Sequence, residues 1–116
     1  MTYVDGFVAA VPKANKDKYV AHAKAAAALF KQWGATRVTE NWGDAVPKGE
    51  LNDFYTAVHA KEDEVVVFSW IEYPDKATRD AVQHKMMNDP EMLNVPDMPF
   101  DGKRMIFAGF ANLLDV

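Results

Sequence analysis

The chain has 116 residues, no cysteine, a formal net charge of −4, 12% aromatic residues and six methionines. This length makes one domain, able to bury roughly two-thirds of its unfolded surface without staples. The missing cysteine excludes disulfides, thiolate metal sites and cysteine nucleophiles, and it fits a cytoplasmic setting. Lysines spread along an acidic chain argue against a nucleic-acid partner. Met1 leads almost directly into an apolar run without the signal-peptide pattern, and no run nears the ~18 residues of a membrane span, so neither is expected.

In chain order, Tyr3 to Val11 reads as a strand. Both alternating sets are largely apolar, which predicts that both faces are covered, and Pro12 ends it. Asn15 to Trp33 reads as a helix with Asn15 as N-cap and Gly34 as the C-terminal stop. Tyr19, Ala23, Ala26, Ala27 and Phe30 make its apolar stripe. Thr36 to Gly43 is a second strand, with Val38, Glu40 and Trp42 on one face and Arg37, Thr39 and Asn41 on the other. That polar second face suits a sheet edge. A loop follows, and Asp53 is placed to cap a short helix over Phe54 to Val58.

Glu64 to Pro74 is the longest apolar run, rich in β-branched and aromatic residues, and reads as a central strand buried on both faces. Asp75 caps a second long helix to about Asn88, with Ala77, Ala81, Val82 and Met86 as its inner stripe. Asp89-Pro90 starts a further short turn. Asn94 to Gly102 is a proline-rich connection that Met98 and Phe100 tie down. Lys103 to Phe110 is the last strand, its alternate set being Arg104, Ile106, Ala108 and Phe110.

The order β-α-β, β-α-β predicts an α+β, ferredoxin-like βαββαβ domain: a four-stranded antiparallel sheet with both long helices on one face. Two helices cover one face only, yet the first and third strands are apolar on both. The second face would be a large exposed apolar patch, and another copy of the same sheet is the economical cover.

Four segments carry a family resemblance: Tyr3-Val4-Asp5-Gly6-Phe7-Val8, Glu40-Asn41-Trp42-Gly43-Asp44-Ala45-Val46-Pro47, Val67-Phe68-Ser69-Trp70-Ile71-Glu72-Tyr73-Pro74, and Met98 through Ile106. By these the chain resembles the DUF1428 family of small bacterial proteins. The resemblance implies the dimeric α+β barrel superfamily, in which two ferredoxin-like sheets close around a central space. That superfamily spans monooxygenases, haem-degrading enzymes, isomerases and ligand-sensing domains, so it implies an assembly without choosing a chemistry.

No mechanistic motif is present: no Gly-x-Gly-x-x-Gly, no P-loop, no His-Glu-x-x-His. Ser69, the only serine, lies in mid-strand rather than on a nucleophile elbow. His22, His59 and His84 fall at no ligand spacing, so no metal or other cofactor is expected. The remaining constellation is on the sheet. If the helices take Val4, Val8 and Ala10 with Val65, Val67 and Ile71, the other face carries Asp5, Phe7, Val66, Phe68, Trp70 and Glu72. Glu40, Trp42 and Arg104 join it in one register. Aromatics with a few convergent polar groups suit a small-molecule pocket, for which Phe7, Glu40, Trp42, Phe68, Trp70 and Arg104 are the candidate lining.

Three functions fit these residues. The first is a homodimer that binds a small apolar or aromatic molecule between its sheets. The second is a metal-free monooxygenase- or isomerase-like enzyme with Glu72 or Asp5 as general base, since a carboxylate on a dry wall is poised by desolvation. The third is a structural protein with no ligand, whose carboxylates pair with Arg104, Arg37 or a lysine of the partner, and whose Trp42 and Trp70 anchor an interface.

Overall fold

Glu64–Tyr73 forms the central strand, β3, with β1 (Tyr3–Pro12) antiparallel on one side and β2 (Arg37–Trp42) antiparallel on the other. The last strand, β4 (Ile106–Ala111), pairs antiparallel with β1, which makes the sheet order β2-β3-β1-β4. A computed structural model of the chain describes residues 2–116. The helices are α1 (Lys16–Trp33), α2 (Phe54–Ala57) and α3 (Lys76–Asn88), with 3-10 turns at Lys13–Asn15, Pro90–Asn94 and Gly102–Arg104. This is the ferredoxin-like arrangement that the element order predicts.

Local chemistry sets the ends. Asp53 caps α2 by accepting from Thr56 N, while the Thr56 hydroxyl takes the Asp53 N–H, a reciprocal box. Asp75 caps α3 by accepting from Thr78 N. Gly34 closes α1 at φ 131°, a conformation that disfavours any side chain. Asn15 stands at the start of α1 but makes no cap hydrogen bond. Its side chain donates to Pro99 O and ties down the proline-rich connection. The fourth strand starts at Ile106, later than the expected Lys103, because Asp101 accepts from Lys103 N and winds Gly102–Arg104 into a turn.

The register decides which side chains share a face. Tyr3, Asp5, Ala9 and Val11 of β1 stand beside Tyr73, Ile71, Val67 and Val65 of β3. These odd positions face α1 and α3. Ala9, Val11 and Val67 pack with Tyr19 of α1, and Ile71 and Tyr73 pack with Phe30 of α1 and Val82 of α3. Val4, Gly6, Val8 and Ala10 lie on the opposite face beside Glu72, Trp70, Phe68 and Val66. The division within β3 is as expected, but the faces of β1 are exchanged. Val4, Val8 and Ala10 do not hold the helices; Asp5 and Phe7 are on that side instead.

The cause of the exchange is a buried polar cluster. Asp5, 2% exposed, takes hydrogen bonds from Arg79 Nε and Gln83 Nε2 of α3 and from the Tyr73 hydroxyl. A buried carboxylate is tolerable only with such partners. The same cluster re-aims α3. Arg79 and Gln83 turn inward beside Val82 and Met86, while Ala77 and Ala81 are exposed. The expected alanine stripe is thus rotated by about one position.

The helix-free face is partly covered by the chain itself. The connection from β2 to β3 crosses it and sets Val58 into a cluster with Val8, Ala10 and Val66, flanked by Tyr55 and Ala60. Beyond that end, Phe68, Phe110 and Ile106 remain 47–56% exposed. No helix is long and apolar enough to cross a membrane among the described residues.

Candidate functional site

Aromatic residues and one carboxylate line up along the uncovered part of this face. The ring of Phe54, the first residue of α2, meets Phe68 at 6.0 Å between centroids and 75° between planes. Phe68 in turn meets Trp70 at 5.7 Å and 52°. Such tilted and edge-to-face pairs are the favourable aromatic geometry. The file ends in a polar group: Trp70 Nε1 donates to Glu72 Oε2 at 2.9 Å, and Arg37 Nη1 stands 3.6 Å from the same oxygen. Period-two alternation along β3 puts Phe68, Trp70 and Glu72 on one side in succession.

Neighbouring strands complete the wall. Thr39 and Asn41 of β2 stand opposite Trp70 and Phe68. The Asn41 amide donates to Phe68 O at 2.9 Å. Across β1, the Phe110 ring lies over Gly6, where a Cβ would meet it at an ordinary contact distance of 3.6 Å. The clefts among the described residues include two shallow ones, of about 370 and 390 Å³. The first lies under the β2–β3 connection and the second beside the proline-rich segment; Phe68, Trp70 and Glu72 line neither. The aromatic file lies outside both of these clefts and forms a wall on the open face.

Several residues expected at this wall lie elsewhere. Asp5 and Phe7 are on the helix side, and both Asp5 oxygens are engaged by Arg79, Gln83 and Tyr73. A carboxylate saturated in this way has no lone pair to spare for a substrate proton. Glu40 and Trp42 also face the helices, because β2 pairs Glu40 with Ser69 and Trp42 with Val67. Glu40 Oε2 accepts from Tyr19 OH at 2.5 Å and from Ser69 Oγ at 2.6 Å. Burial and the adjacent Glu40 charge push the Tyr19 hydroxyl well above its ordinary pKa. The indole of Trp42 packs against the cluster of Ala9, Val11, Tyr19 and Val67 and carries the Lys16 ammonium 5.3 Å above its ring.

Arg104 is not a strand residue. It forms a two-pronged pair with Glu64, Nη1 to Oε1 and Nη2 to Oε2, each 2.7 Å, and also binds Asp101 and the His59 carbonyl. The guanidinium hydrogen bonds hold the Glu64 carboxyl below its ordinary range, against the opposing effect of burial. Its role is to fasten the last connection to the start of β3. Sequence reading missed Phe54, Arg37, Thr39, Asn41 and Phe110 as wall residues. For Arg37, Thr39 and Asn41 the signal was present in the alternation of β2, whereas Phe54 arrives from a connection that no periodicity positions.

Among the described residues, no group of three or more histidine, aspartate or glutamate side chains is arranged to hold a metal ion. The model of the family described as a protein of unknown function, DUF1428, matches residues 2–102. The chain belongs to the DUF1428 family. Its relatives include the uncharacterized protein YbaA of Escherichia coli K12, 56% identical over 116 residues, with 99% of each chain covered. YbaA of Escherichia coli O157:H7 and that of Shigella flexneri match to the same extent. Among solved structures, a protein from an uncultured marine organism, described as a dimeric ferredoxin-like protein, aligns over 99% of this chain and 98% of its own. With a TM-score of 0.58 and 13% identity, that likeness extends the ferredoxin-like fold to this DUF1428 member, and nothing more.

Proposed function

We propose that this DUF1428 chain works as a homodimer joined through the helix-free sheet faces, and that it binds a small apolar or aromatic molecule between them. The observation that carries this reading is the exposed file Phe54–Phe68–Trp70 ending in Glu72, on a face whose other large residues, Ile106 and Phe110, are also about half exposed. Contiguous apolar surface of this kind marks an interaction site. A second sheet facing the first at about 10 Å would turn the wall into an enclosed space. The solved ferredoxin-like neighbour is itself described as dimeric, which supports this assembly.

In this reading the rings give the ligand a flat apolar bed, and Glu72 gives it orientation. Both protein contacts of that carboxylate fall on Oε2, so Oε1 is the acceptor for a ligand N–H or O–H. A cytoplasmic setting suits a chain without cysteine. The test is native mass spectrometry with fluorescence titration of 1-anilinonaphthalene-8-sulfonate as the aromatic probe. A dimer mass is expected, with saturable probe binding at a fixed stoichiometry per dimer that Trp70→Ala weakens at least tenfold. A dimer that shows no saturable binding would leave the third, ligand-free role.

A further inference from the structure

The chain has three arginines, and two of them fasten the fold. Arg79 is locked on Asp5 and Arg104 on Glu64, each through short hydrogen bonds, with side chains 19% and 17% exposed. Arg37 is different. Its side chain is 64% exposed, and it approaches Glu72 Oε2 only to 3.6 Å. Among the described residues its guanidinium makes no hydrogen bond. An exposed pair at that separation contributes little to stability, so the guanidinium is free to turn to another acceptor.

Glu72 has unused capacity of its own. Trp70 Nε1 holds Oε2 at 2.9 Å, so the carboxylate stays in place when Arg37 turns, and Oε1 faces the open side without a protein donor. The register puts the two groups side by side, because Arg37 of β2 is directly opposite Glu72 of β3. Such a pair has its Cβ atoms about 5 Å apart on one face. The polar end of the aromatic file is therefore a donor fork and an acceptor oxygen, of opposite charge and in contact range of one small molecule.

Charge decides what fits there. A ligand with only an acid group meets Arg37 but also the like charge of Glu72. A ligand with only an amine meets Glu72 but also the like charge of Arg37. An α-amino acid carries both groups on one carbon, satisfies both side chains at once and leaves the site neutral. The ring follows from the next residue on the same face. Trp70 is one pleat repeat from Glu72, about 7 Å along the strand, within reach of a side chain of one methylene and one ring. The Trp70 and Phe68 rings, 5.7 Å apart at 52°, offer it tilted contacts.

We infer that the aromatic molecule bound on this face is a free amino acid with an aromatic side chain. Its carboxylate takes the Arg37 fork, its ammonium donates to Glu72 Oε1, and its ring lies on Trp70 and Phe68. This inference rests on the ligand-binding reading of the sheet face and adds the chemical class of the ligand.

The test is isothermal titration calorimetry of the full chain with three matched compounds: L-phenylalanine, 3-phenylpropanoate, which lacks the amine, and 2-phenylethylamine, which lacks the acid. L-phenylalanine is expected to bind at least tenfold more tightly than either of the others. Arg37→Gln and Glu72→Gln, with the fold verified by circular dichroism, should each weaken L-phenylalanine about tenfold. Each should also strengthen the compound whose charge it no longer repels: 2-phenylethylamine for Arg37→Gln and 3-phenylpropanoate for Glu72→Gln. A merely structural role for the pair would not produce that opposite pattern. Saturable 1-anilinonaphthalene-8-sulfonate binding, with L-phenylalanine bound no better than the two single-charge compounds, overturns the amino-acid assignment and leaves the aromatic-ligand reading standing. Absence of saturable binding of that probe overturns the ligand reading itself, and this inference with it.

Discussion

Arg79 reaches Asp5 Oδ1 at 2.9 Å through both Nε and Nη2, joining α3 to β1 across 74 residues of chain. This contact fixes which face of β1 meets the helices, and so which residues are left for the aromatic wall. Gln83 and Tyr73 occupy the second carboxylate oxygen, so the pair is buried with its hydrogen bonds satisfied. Burial and the nearby Asp5 charge also push the Tyr73 hydroxyl well above its ordinary pKa, which keeps it a donor throughout the working pH range.

Removing one partner of this cluster should cost far more than removing both. Arg79→Met leaves a carboxylate in the core and is expected to destabilise by about 3–5 kcal/mol. Asp5→Leu combined with Arg79→Met should recover most of that loss. Urea unfolding of the two single variants and the double variant reads the coupling directly; additive losses would show that the two side chains do not act as a unit.

The Arg104–Glu64 pair predicts a pH dependence with a definite sign. Glu64 is held below the usual glutamate value of 4.5 in the folded protein, chiefly by the Arg104 hydrogen bonds. The unfolded chain therefore binds the proton first as pH falls. The pair's contribution is complete above about pH 4.5 and is lost as pH drops through the lower folded value. Arg104→Gln should lower stability at pH 7 and flatten the slope of stability against pH in the acid range. Chemical denaturation from pH 3 to 7 measures both; an unchanged slope would count against the pair.

Gly34 is expected to resist substitution. Its φ of 131° disfavours a side chain, and a Cβ would come within 2.7 Å of Thr78 Cγ2 on α3. Gly34→Ala should cost about 1–3 kcal/mol. Adding Thr78→Ser removes the clash but not the backbone strain, so thermal melting of the double variant should show partial recovery only.

The capping box at Asp53 positions Phe54 over Phe68. Asp53→Ala should cost about 1 kcal/mol of stability. If Phe54 is part of the ligand bed, the same change should weaken probe binding several-fold while Trp70→Ala weakens it more. Equal stability loss with untouched binding would place Phe54 outside the bed.

Much of this fold is legible in the chain. Pro12, Gly34, Asp53 and Asp75 mark element ends by local conformational and hydrogen-bonding preferences that need no tertiary partner. The alternation in Glu64–Tyr73 separates Val65, Val67 and Ile71 from Phe68, Trp70 and Glu72, because period-two geometry is a property of the strand alone. That half of the candidate site follows from sequence.

The pairing of β1 with β3 is a different kind of fact. Both faces of β1 are apolar enough to be buried, so its alternation is two-fold ambiguous, and a shift of one residue exchanges the faces. A charged residue in such a strand reads as belonging to the open face. Asp5 is instead buried, because Arg79, Gln83 and Tyr73, some seventy residues away, supply the hydrogen bonds that burial demands. Glu40 is held on the helix side in the same manner by Tyr19 and Ser69. Sequence determined the order of the elements, most of their ends and the two halves of the central strand, though not the start of β4, which the Gly102–Arg104 turn moves to Ile106. Tertiary structure alone decided which half of its neighbours each half would meet, since that choice rests on long-range hydrogen bonds to the carboxylates of Asp5, which is buried, and Glu40.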